Sequence, residues 1–368
     1  MNKGNELRVP VSGQAIGIEE EEAIIRVAKS RQYASSDLTD QFEHAFSKYV
    51  GKRYGVFVNS GSSANLLAVS ALVDACREIP YITTPALAFP TTINPLIQNG
   101  IKINLLDVDI DTFMPKYIAL YGSMTLGNFN RYRLIEDSCD AMFPGRYTGM
   151  MQTFSFFPAH HMTTGEGGMV TTDDPQLYKT LRSLRDWGRD CWCLPGHDNT
   201  CGKRFDGEYD HKYTYSRVGY NLKATEMQAA IGLEQLKKLP EFTAIRVRNF
   251  KYLYEKLSKF SDYFIMPKSI LEDTPWFGFP LTIKDGMTFT RTDIMKYLDS
   301  HGVGCRVIFA GNITKQPAYK DVKFIIDEPL TNTDKIHKDS FWVGSWHGLS
   351  LAQLDYTVSI FEDFFNGL

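Results

Sequence analysis

Short apolar runs alternate along the chain with longer amphipathic stretches, the pattern of strands joined by helices. Apolar residues at helical spacing extend from Ile18 to Val50. A short buried strand at 56–58, a Gly/Ser turn at 59–63 and a helix at 65–75 are expected next. Further strand-like runs are IKINLLDVDI, RLIEDS and TFSFF. This alternation predicts an α/β domain with a mostly parallel central sheet.

The pattern changes near Arg246. A long helix through RNFKYLYEKL is followed by strand-like runs at FGFPLTI and VGCRVIF and by a terminal amphipathic helix. This order predicts a smaller α+β domain. We therefore expect a large cofactor-binding domain at 1–245, with an N-terminal helical segment, and a small C-terminal domain at 246–368.

The composition limits the kinds of molecule that the protein is expected to bind. The 368 residues are 43% apolar and 23% charged, as in soluble globular proteins, and carry a net charge of −3. This balance gives no electrostatic reason to expect nucleic acid or an anionic membrane as partner. The sequence begins without an apolar signal-peptide core, and no apolar run approaches the roughly 20 residues of a membrane span. We expect a cytoplasmic protein.

The turn SGSSAN connects a predicted strand to a predicted helix. Free backbone N–H groups at a helix N-terminus commonly bind phosphate, although a capped helix without a ligand explains this stretch equally well. The stretches IEDSCDA and FFPAHH also follow predicted strands. Ligands of α/β folds bind at the C-terminal ends of strands, so these motifs are expected to converge on one site.

Four motifs together carry a resemblance to a known family. They resemble the signatures of the DegT/DnrJ/StrS sugar aminotransferases, which are fold-type I, vitamin B6-dependent enzymes acting on nucleotide-linked keto sugars. The resemblance extends from about Ile18 to the C-terminus. The motifs are SGSSAN, IEDSCDA, SFFPAHHMTTGEGG and GYNLKATEMQAA.

The resemblance implies which residues bind the phosphate of the cofactor. Backbone N–H groups of Ser62 and Ser63 would hold it, assisted by the hydroxyl of Ser155. Asn221 would reach the phosphate from the neighbouring subunit. The resemblance therefore implies a homodimer with shared active sites.

The resemblance also implies how the cofactor ring is held. Phe89 matches the aromatic residue that stacks on the pyridine ring, although a phenylalanine in the core is the alternative. Asp137 matches the carboxylate that pairs with the protonated pyridine nitrogen. That charge pair keeps the ring cationic, so that the ring can accept electron density from a carbanion.

The paired histidines of the third motif separate the branches of this family. Aminotransferases carry lysine where His160 stands, because a primary amine is needed for a Schiff base with the cofactor. Imidazole cannot form that bond but can transfer protons near neutral pH. Histidine at this position, with Asp140 and Phe277, resembles the 3-dehydrase branch, which implies non-covalent pyridoxamine 5'-phosphate and a catalytic His160. His161 is expected to support the site.

Three of the six cysteines cluster in CWCLPGHDNTC, which suggests that they bind a metal or a cluster. Together with Cys139 they resemble the 2Fe-2S pattern of the 3-dehydrases of CDP-linked sugars. Four thiolates complete the ligand set of such a cluster. A structural zinc site and cysteines without a ligand are the alternatives. The four residues of the implied cluster are Cys139, Cys191, Cys193 and Cys201.

The resemblance implies C3 dehydration of a CDP-4-keto-6-deoxyhexose, with electrons from a separate flavin/iron-sulfur reductase. The product would serve 3,6-dideoxyhexose and surface polysaccharide synthesis. One alternative is a cluster-independent 3-dehydratase, such as one acting on GDP-4-keto-6-deoxymannose. Another is a degenerate, non-catalytic protein that binds a nucleotide sugar, because the segment before Asp137 is shorter than in relatives.

Overall fold

The computed structural model describes most of the chain. The described residues are 7–76, 78–113, 134–142, 145, 147–193, 196–203, 209–268 and 273–367. The shortened segment before Asp137 lies largely outside these ranges. The predicted N-terminal helical region is two helices, α1 (Ile18–Ser30) and α2 (Asp37–Tyr49).

The first sheet has four strands in the order β1-β6-β5-β4. Strands β4 and β5 are parallel, whereas β6 runs antiparallel to both β5 and β1. Residues of β5 and β6 are buried throughout, because α3 packs against these strands. The strands are β1 (Tyr54–Val58), β4 (Ile135–Asp137), β5 (Met151–Ser155) and β6 (Gly168–Thr172), and the helices beside them are α3 (Gly61–Ala75) and α5 (Pro175–Arg185).

A second sheet completes the α/β part of the fold. Strands β2 (Ile82–Pro85), β3 (Ile103–Leu106) and β10 (Phe324–Ile325) pair in parallel in the order β10-β3-β2, and α4 (Pro90–Gln98) connects β2 to β3. The α/β class is confirmed. The central strands are a mixture of parallel and antiparallel pairs, because β6 returns directly beside β5.

The C-terminal part contains a third, wholly antiparallel sheet in the order β7-β8-β11-β9. Its core is rich in phenylalanine from the sheet and from the helices that cover it. These elements are β7 (Phe264–Ile265), β8 (Gly278–Ile283), α7 (Arg291–Ser300), β9 (Cys305–Val307), α8 (Thr331–Asp339), β11 (Ser340–Gly344) and α9 (Leu351–Asn366).

Helix α6 (Glu226–Leu257) connects the two parts of the fold. Ala229 and Leu239 belong to the hydrophobic cluster of α2 and the first sheet, whereas Phe250 and Leu253 belong to the C-terminal cluster. The proposed division at 245/246 therefore falls inside a continuous helix. Because α6 contributes to both cores, it holds side chains near its middle between the two parts.

A buried ion-pair network fixes α5 against α2 and β1. Oε1 of Glu43 accepts hydrogen bonds from Nη1 of Arg185 (2.7 Å) and from the backbone N–H of Phe57 (2.8 Å). Oε2 of Glu43 accepts from Nη1 of Arg182 at 3.4 Å. All three charged side chains are almost completely buried. Removing one charged partner from such a network leaves another charge unpaired in the interior.

The longest of the described helices are α3, α6 and α9. Within the part of the chain that the structure describes, none combines the length and the apolar character needed to cross a bilayer.

Candidate active site

The predicted phosphate-binding turn lies at the start of α3. Ser60 is the N-cap, and its Oγ accepts a hydrogen bond from the backbone N–H of Ser63 at 3.1 Å. The helix consequently begins at Gly61, four residues earlier than the apolar pattern predicts. Helix geometry leaves the N–H groups of Gly61 and Ser62 without intrahelical partners. These two groups can bind a phosphate, whereas the predicted donor Ser63 is already bonded to the cap.

Ser155 ends β5 directly against this turn. A Cβ atom at position 61 would lie 2.5 Å from Cβ of Ser155 and 2.8 Å from its Oγ. Only glycine at 61 allows the hydroxyl of Ser155 to lie beside the helix N-terminus. The residues thus form a cradle suited to an anion, with a hydroxyl and helix N–H groups side by side.

Replacing Gly61 by alanine should disrupt this cradle. The added methyl group must displace Ser155 or the start of α3, and overpacking of this kind costs about 1–3 kcal/mol. We expect Gly61→Ala to weaken pyridoxamine phosphate binding by about 5- to 100-fold in a cofactor titration. Gly367→Ala is the matched control, because the nearest atom there is 3.5 Å away. Unchanged affinity in a folded Gly61→Ala protein would contradict the assignment.

Asp137, the predicted partner of a pyridine nitrogen, is held by residues from two helices, α3 and α4. Its Oδ2 accepts hydrogen bonds from Nδ2 of Asn65 (2.9 Å) and Oγ1 of Thr92 (2.7 Å). Oδ1 of Asn65 accepts in turn from Oγ1 of Thr153 at 2.5 Å, which fixes the orientation of the amide. The carboxylate remains exposed at the end of β4. Oδ1 accepts a longer hydrogen bond from the backbone N–H of Cys139 at 3.3 Å, so both oxygens are positioned while the exposed carboxylate stays accessible to a ligand.

Phe89 lies on the same side of the fold as Asp137. It is the N-cap of α4, three residues before Thr92, and its side chain is 52% exposed. An aromatic ring of this exposure is not a core residue. Beside a fixed carboxylate, it can provide a stacking surface for an aromatic ligand.

His160 faces the second predicted carboxylate. Its Nδ1 lies 3.1 Å from Oδ1 of Asp140, at ion-pair distance but without the alignment of a hydrogen bond. The side chains are 14% and 30% exposed, and the rings of Phe157 and Phe277 pack around the imidazole. A carboxylate at this distance favours the tautomer protonated on Nδ1, which leaves Nε2 as the basic nitrogen.

Arg246 holds the backbone of His160, a role that none of the sequence motifs indicated. It reaches the site from α6, is completely buried, and donates hydrogen bonds to the carbonyls of His160 (3.0 Å) and Phe277 (3.1 Å). Burial lowers its pKa to about 9, and Asp140 opposes that shift. Arg246 thereby joins the histidine loop to the segment that leads into β8.

His161 lies in the interior, against the segment that leads into β8. The ring is completely buried and its Nε2 lies 2.6 Å from the carbonyl oxygen of Pro275. Burial, with the positive charge of Arg246 nearby, holds the pKa of His161 well below its ordinary value. The neutral ring therefore donates to that carbonyl and fixes the loop before β8.

Asn221 is exposed near the phosphate-binding turn. Its Oδ1 accepts from Nζ of Lys223 at 2.7 Å, and the neighbouring carbonyl of Leu222 accepts from the backbone N–H of Asn59 at 2.9 Å. The segment thus lies beside residues 59–63 of its own chain. A contribution of Asn221 to a second subunit stays a prediction.

Three of the four predicted cluster ligands come together on one loop, with a histidine that the sequence did not single out. The ligand atoms of Cys191, Cys193, Cys201 and His211 all lie within 4.8 Å of one another. Sγ of Cys193 is 3.4 Å from Sγ of Cys201. Thiolate and imidazole ligands of this kind suit zinc or an iron centre.

Cys139 is not a member of that group in the described residues. It lies on the turn after β4, where its backbone N–H donates to Oδ1 of Asp137 at 3.3 Å. Burial, and next the charge of Asp137, raise the pKa of its thiol well above the usual value. Three of the four predicted cluster ligands therefore lie together, whereas Cys139 lies on a different turn from the 191–201 loop.

Comparison with known proteins identifies the family. The sequence profile of the DegT/DnrJ/EryC1/StrS aminotransferases matches residues 14–122 and 128–362. The chain belongs to this family. The matched ranges include every site residue described above, so the cradle, the aspartates and the histidine loop are parts of a fold-type I vitamin B6 enzyme fold.

Several curated proteins resemble the chain over nearly its full length. The lipopolysaccharide biosynthesis protein RfbH of Salmonella typhimurium is 42% identical, covering 97% of this chain and 92% of that protein. The dTDP-4-dehydro-2,6-dideoxy-D-glucose 3-dehydratase of Saccharopolyspora spinosa is 40% identical, with coverages of 96% and 86%.

Solved structures show the same fold. The Escherichia coli GDP-4-keto-6-deoxy-D-mannose-3-dehydratase with bound hydrated PLP superposes with a TM-score of 0.84 and 29% identity, covering 96% of this chain and 98% of that one. Within the family, this chain is therefore similar to sugar 3-dehydratases in both sequence and structure.

Proposed function

We propose that this protein is a vitamin B6-dependent nucleotide-sugar 3-dehydratase. The observation that carries the proposal is the pair of His160 and Asp140, 3.1 Å apart, at the position where aminotransferases of the family use lysine. A histidine with a neighbouring carboxylate can transfer protons but cannot bind the cofactor covalently. Similarity to RfbH and to two kinds of 3-dehydratase supports the same activity.

The residues of the site fit pyridoxamine 5'-phosphate. Gly61, Ser62 and Ser155 form the anion cradle, Phe89 offers a stacking surface, and Asp137 faces the expected place of the ring nitrogen. The bound cofactor supplies an amine for a ketone substrate and a ring that withdraws electron density from the reacting carbon.

The chain itself provides proton transfer and exclusion of water. Nε2 of His160 accepts a proton and can return it, while Asp140 stabilises the charged imidazole. Rings of Phe157 and Phe277 cover two sides of the imidazole, which lowers access of water to the proton-transfer atom. Arg246 keeps the His160 backbone in place through its carbonyl.

We further propose that the substrate is a CDP-4-keto-6-deoxyhexose and that the enzyme carries a 2Fe-2S cluster. Four cysteines matching that pattern support the cluster, and three of them lie together with their side chains half-buried. The cluster would pass single electrons from a flavin/iron-sulfur reductase. The homodimer, with Asn221 contributed to the partner's site, belongs to the same proposal.

A cluster-independent 3-dehydratase is the second candidate. It is favoured by structural similarity to the E. coli enzyme for GDP-4-keto-6-deoxymannose and by the position of Cys139 outside the cysteine group. In that case the thiolates would bind zinc or no metal, and no reductase would be needed.

Metal analysis of anaerobically purified protein distinguishes the two candidates. The first predicts about two irons and two sulfides per chain, with an electron paramagnetic resonance signal on reduction. Cys193→Ser should lose most of the iron, whereas Cys76→Ser, outside the cysteine group, should keep it. Stoichiometric zinc without iron would contradict the cluster.

Substrate turnover tests the activity independently. With pyridoxamine phosphate present, the protein should consume CDP-4-keto-6-deoxyglucose faster than GDP-4-keto-6-deoxymannose. Faster turnover of the GDP-linked sugar without a reductase would support the second candidate. No turnover of any 4-keto sugar by cofactor-loaded protein would overturn the proposed dehydratase.

A further inference from the structure

The loop that gathers the cysteines also brings His211 against one sulfur. Nε2 of His211 lies 2.9 Å from Sγ of Cys201. We propose that His211 donates a hydrogen bond to the ligating thiolate of Cys201 and thereby makes the iron-sulfur centre easier to reduce. The inference rests on the proposed function, because it assigns a role to His211 in the cluster named there.

The backbone holds His211 at this place through several contacts. The N–H of Asp190 donates to the carbonyl of Thr214 at 2.8 Å, so the segment after His211 pairs with the residue before Cys191. The carboxylate of Asp210 caps a short 3-10 turn by accepting from the N–H of Lys212 at 2.9 Å. The side chain of His211 is only 12% exposed. Its position beside Cys201 is thus built into the fold.

An ion pair also holds the cysteine loop against the 3-10 turn that carries His211. Nζ of Lys212 forms an ion pair with Oδ1 of Asp198, three residues before Cys201. On the other side, Arg182 donates to the carbonyl of Cys193. The loop is therefore anchored to α5 and to the 3-10 turn that carries His211.

The surroundings of the ring determine which nitrogen carries the proton. Nδ1 of His211 is buried and lies 3.9 Å from Oδ1 of Asp210, beyond hydrogen-bond distance, and it has no hydrogen-bond partner in the described structure. A buried N–H without an acceptor is costly. A thiolate bound to metal offers only an acceptor. The proton therefore belongs on Nε2, directed at Cys201.

The distance favours a hydrogen bond over direct ligation by His211. Ligands at the usual zinc–nitrogen and zinc–sulfur lengths around one tetrahedral ion are separated by about 3.5 Å. The observed 2.9 Å is well below that separation. The proposed ligand set takes its fourth thiolate from Cys139, which lies outside the 191–201 group in the described residues. When that set binds the cluster, His211 is an outer neighbour of it.

A hydrogen bond to a ligand sulfur affects the reduction potential. Reduction adds one electron, and with it one negative charge, to the cluster without breaking a bond. The N–H group stabilises the added charge on the sulfur, because hydrogen bonds to charged acceptors are about twice as strong as neutral ones. Cluster potentials depend on such hydrogen bonds.

The test compares variants of the loaded holoenzyme in a redox titration followed by electron paramagnetic resonance. His211→Leu removes the donor and should shift the midpoint potential to lower values, with a roughly tenfold smaller equilibrium constant for reduction. His211→Gln keeps an N–H donor and should restore a potential near that of the unaltered protein. His197→Leu is the matched control, because Nε2 of His197 lies 2.8 Å from Oδ1 of Asp37 and not against a sulfur.

A measurement on the unaltered protein keeps the inference testable if His211→Leu loses its cluster. Pulsed resonance spectra should contain an exchangeable proton coupled to the reduced cluster and lack the strong coupling of a directly bound nitrogen. Strong nitrogen coupling would make His211 a ligand and overturn the inference, as would an unshifted potential in His211→Leu. Absence of iron from the unaltered protein would instead refute the cluster of the proposed function.

Discussion

His160→Asn is expected to reduce the rate of C3 dehydration by about 10²- to 10⁴-fold, the usual contribution of a general base. Asparagine lacks a nitrogen that can accept a proton, while its size allows the fold to persist. Arg246 contacts the backbone carbonyl of residue 160 and not its side chain, so the loop should keep its position. The loss should therefore appear in kcat, measured with cofactor-saturated protein.

The control for this experiment is an exposed histidine away from the site. His44→Asn, on the outer face of α2, should keep full activity. Pyridoxamine phosphate titration of His160→Asn should give an affinity near that of the unaltered protein, since the phosphate cradle and Asp137 are untouched. An asparagine variant that keeps kcat would remove His160 from the mechanism.

Glu43→Ala is expected to lower the free energy of unfolding by about 3–5 kcal/mol, the cost of breaking a buried ion pair by removing one partner. The change removes the carboxylate that faces Arg185 at 2.7 Å and Arg182 at 3.4 Å. It also removes the acceptor of the Phe57 N–H. Denaturant titration of the metal-free protein measures the difference.

An exposed ion pair provides the comparison. Glu22 lies 4.0 Å from Arg26 on the surface of α1, and Glu22→Ala should change the free energy of unfolding by no more than about 0.5 kcal/mol. If both variants lost the same small amount of unfolding free energy, the buried network would not stabilise the fold.

Because Arg182 also donates to the carbonyl of Cys193, Glu43→Ala should release metal from the cysteine loop more readily.

Features that depend on neighbouring residues were predicted well. The strand, turn and helix around SGSSAN follow from apolar periodicity and from serine capping, both of which act over a few residues. The same local rules located the C-terminal strands and the last helix. The helix through RNFKYLYEKL proved to be the end of the much longer α6, since its first half packs on the other core.

Features that depend on distant residues required the tertiary structure. Arg246 lies in none of the sequence motifs, yet it contacts the backbone of His160 because α6 passes between the two cores. A histidine ten residues after Cys201 offers a spacing signal, but loops of that length allow many paths, and only the pairing of 189–190 with 214–215 brings His211 to the sulfur. Cys139 lies apart from the other cysteines for the same reason, because the packing of the turn after β4, and not the spacing in the sequence, sets its position.

The α/β class, the family and the exchange of lysine for His160 could be predicted from the sequence, because they depend on residue type and local order. The fold brings together groups whose meeting no motif predicts: Asp140 with His160, Asn65 and Thr92 with Asp137, and His211 with Cys201. Contacts between residues far apart in the chain depend on how helices and sheets pack. That packing is a property of the whole core and cannot be derived from any one motif.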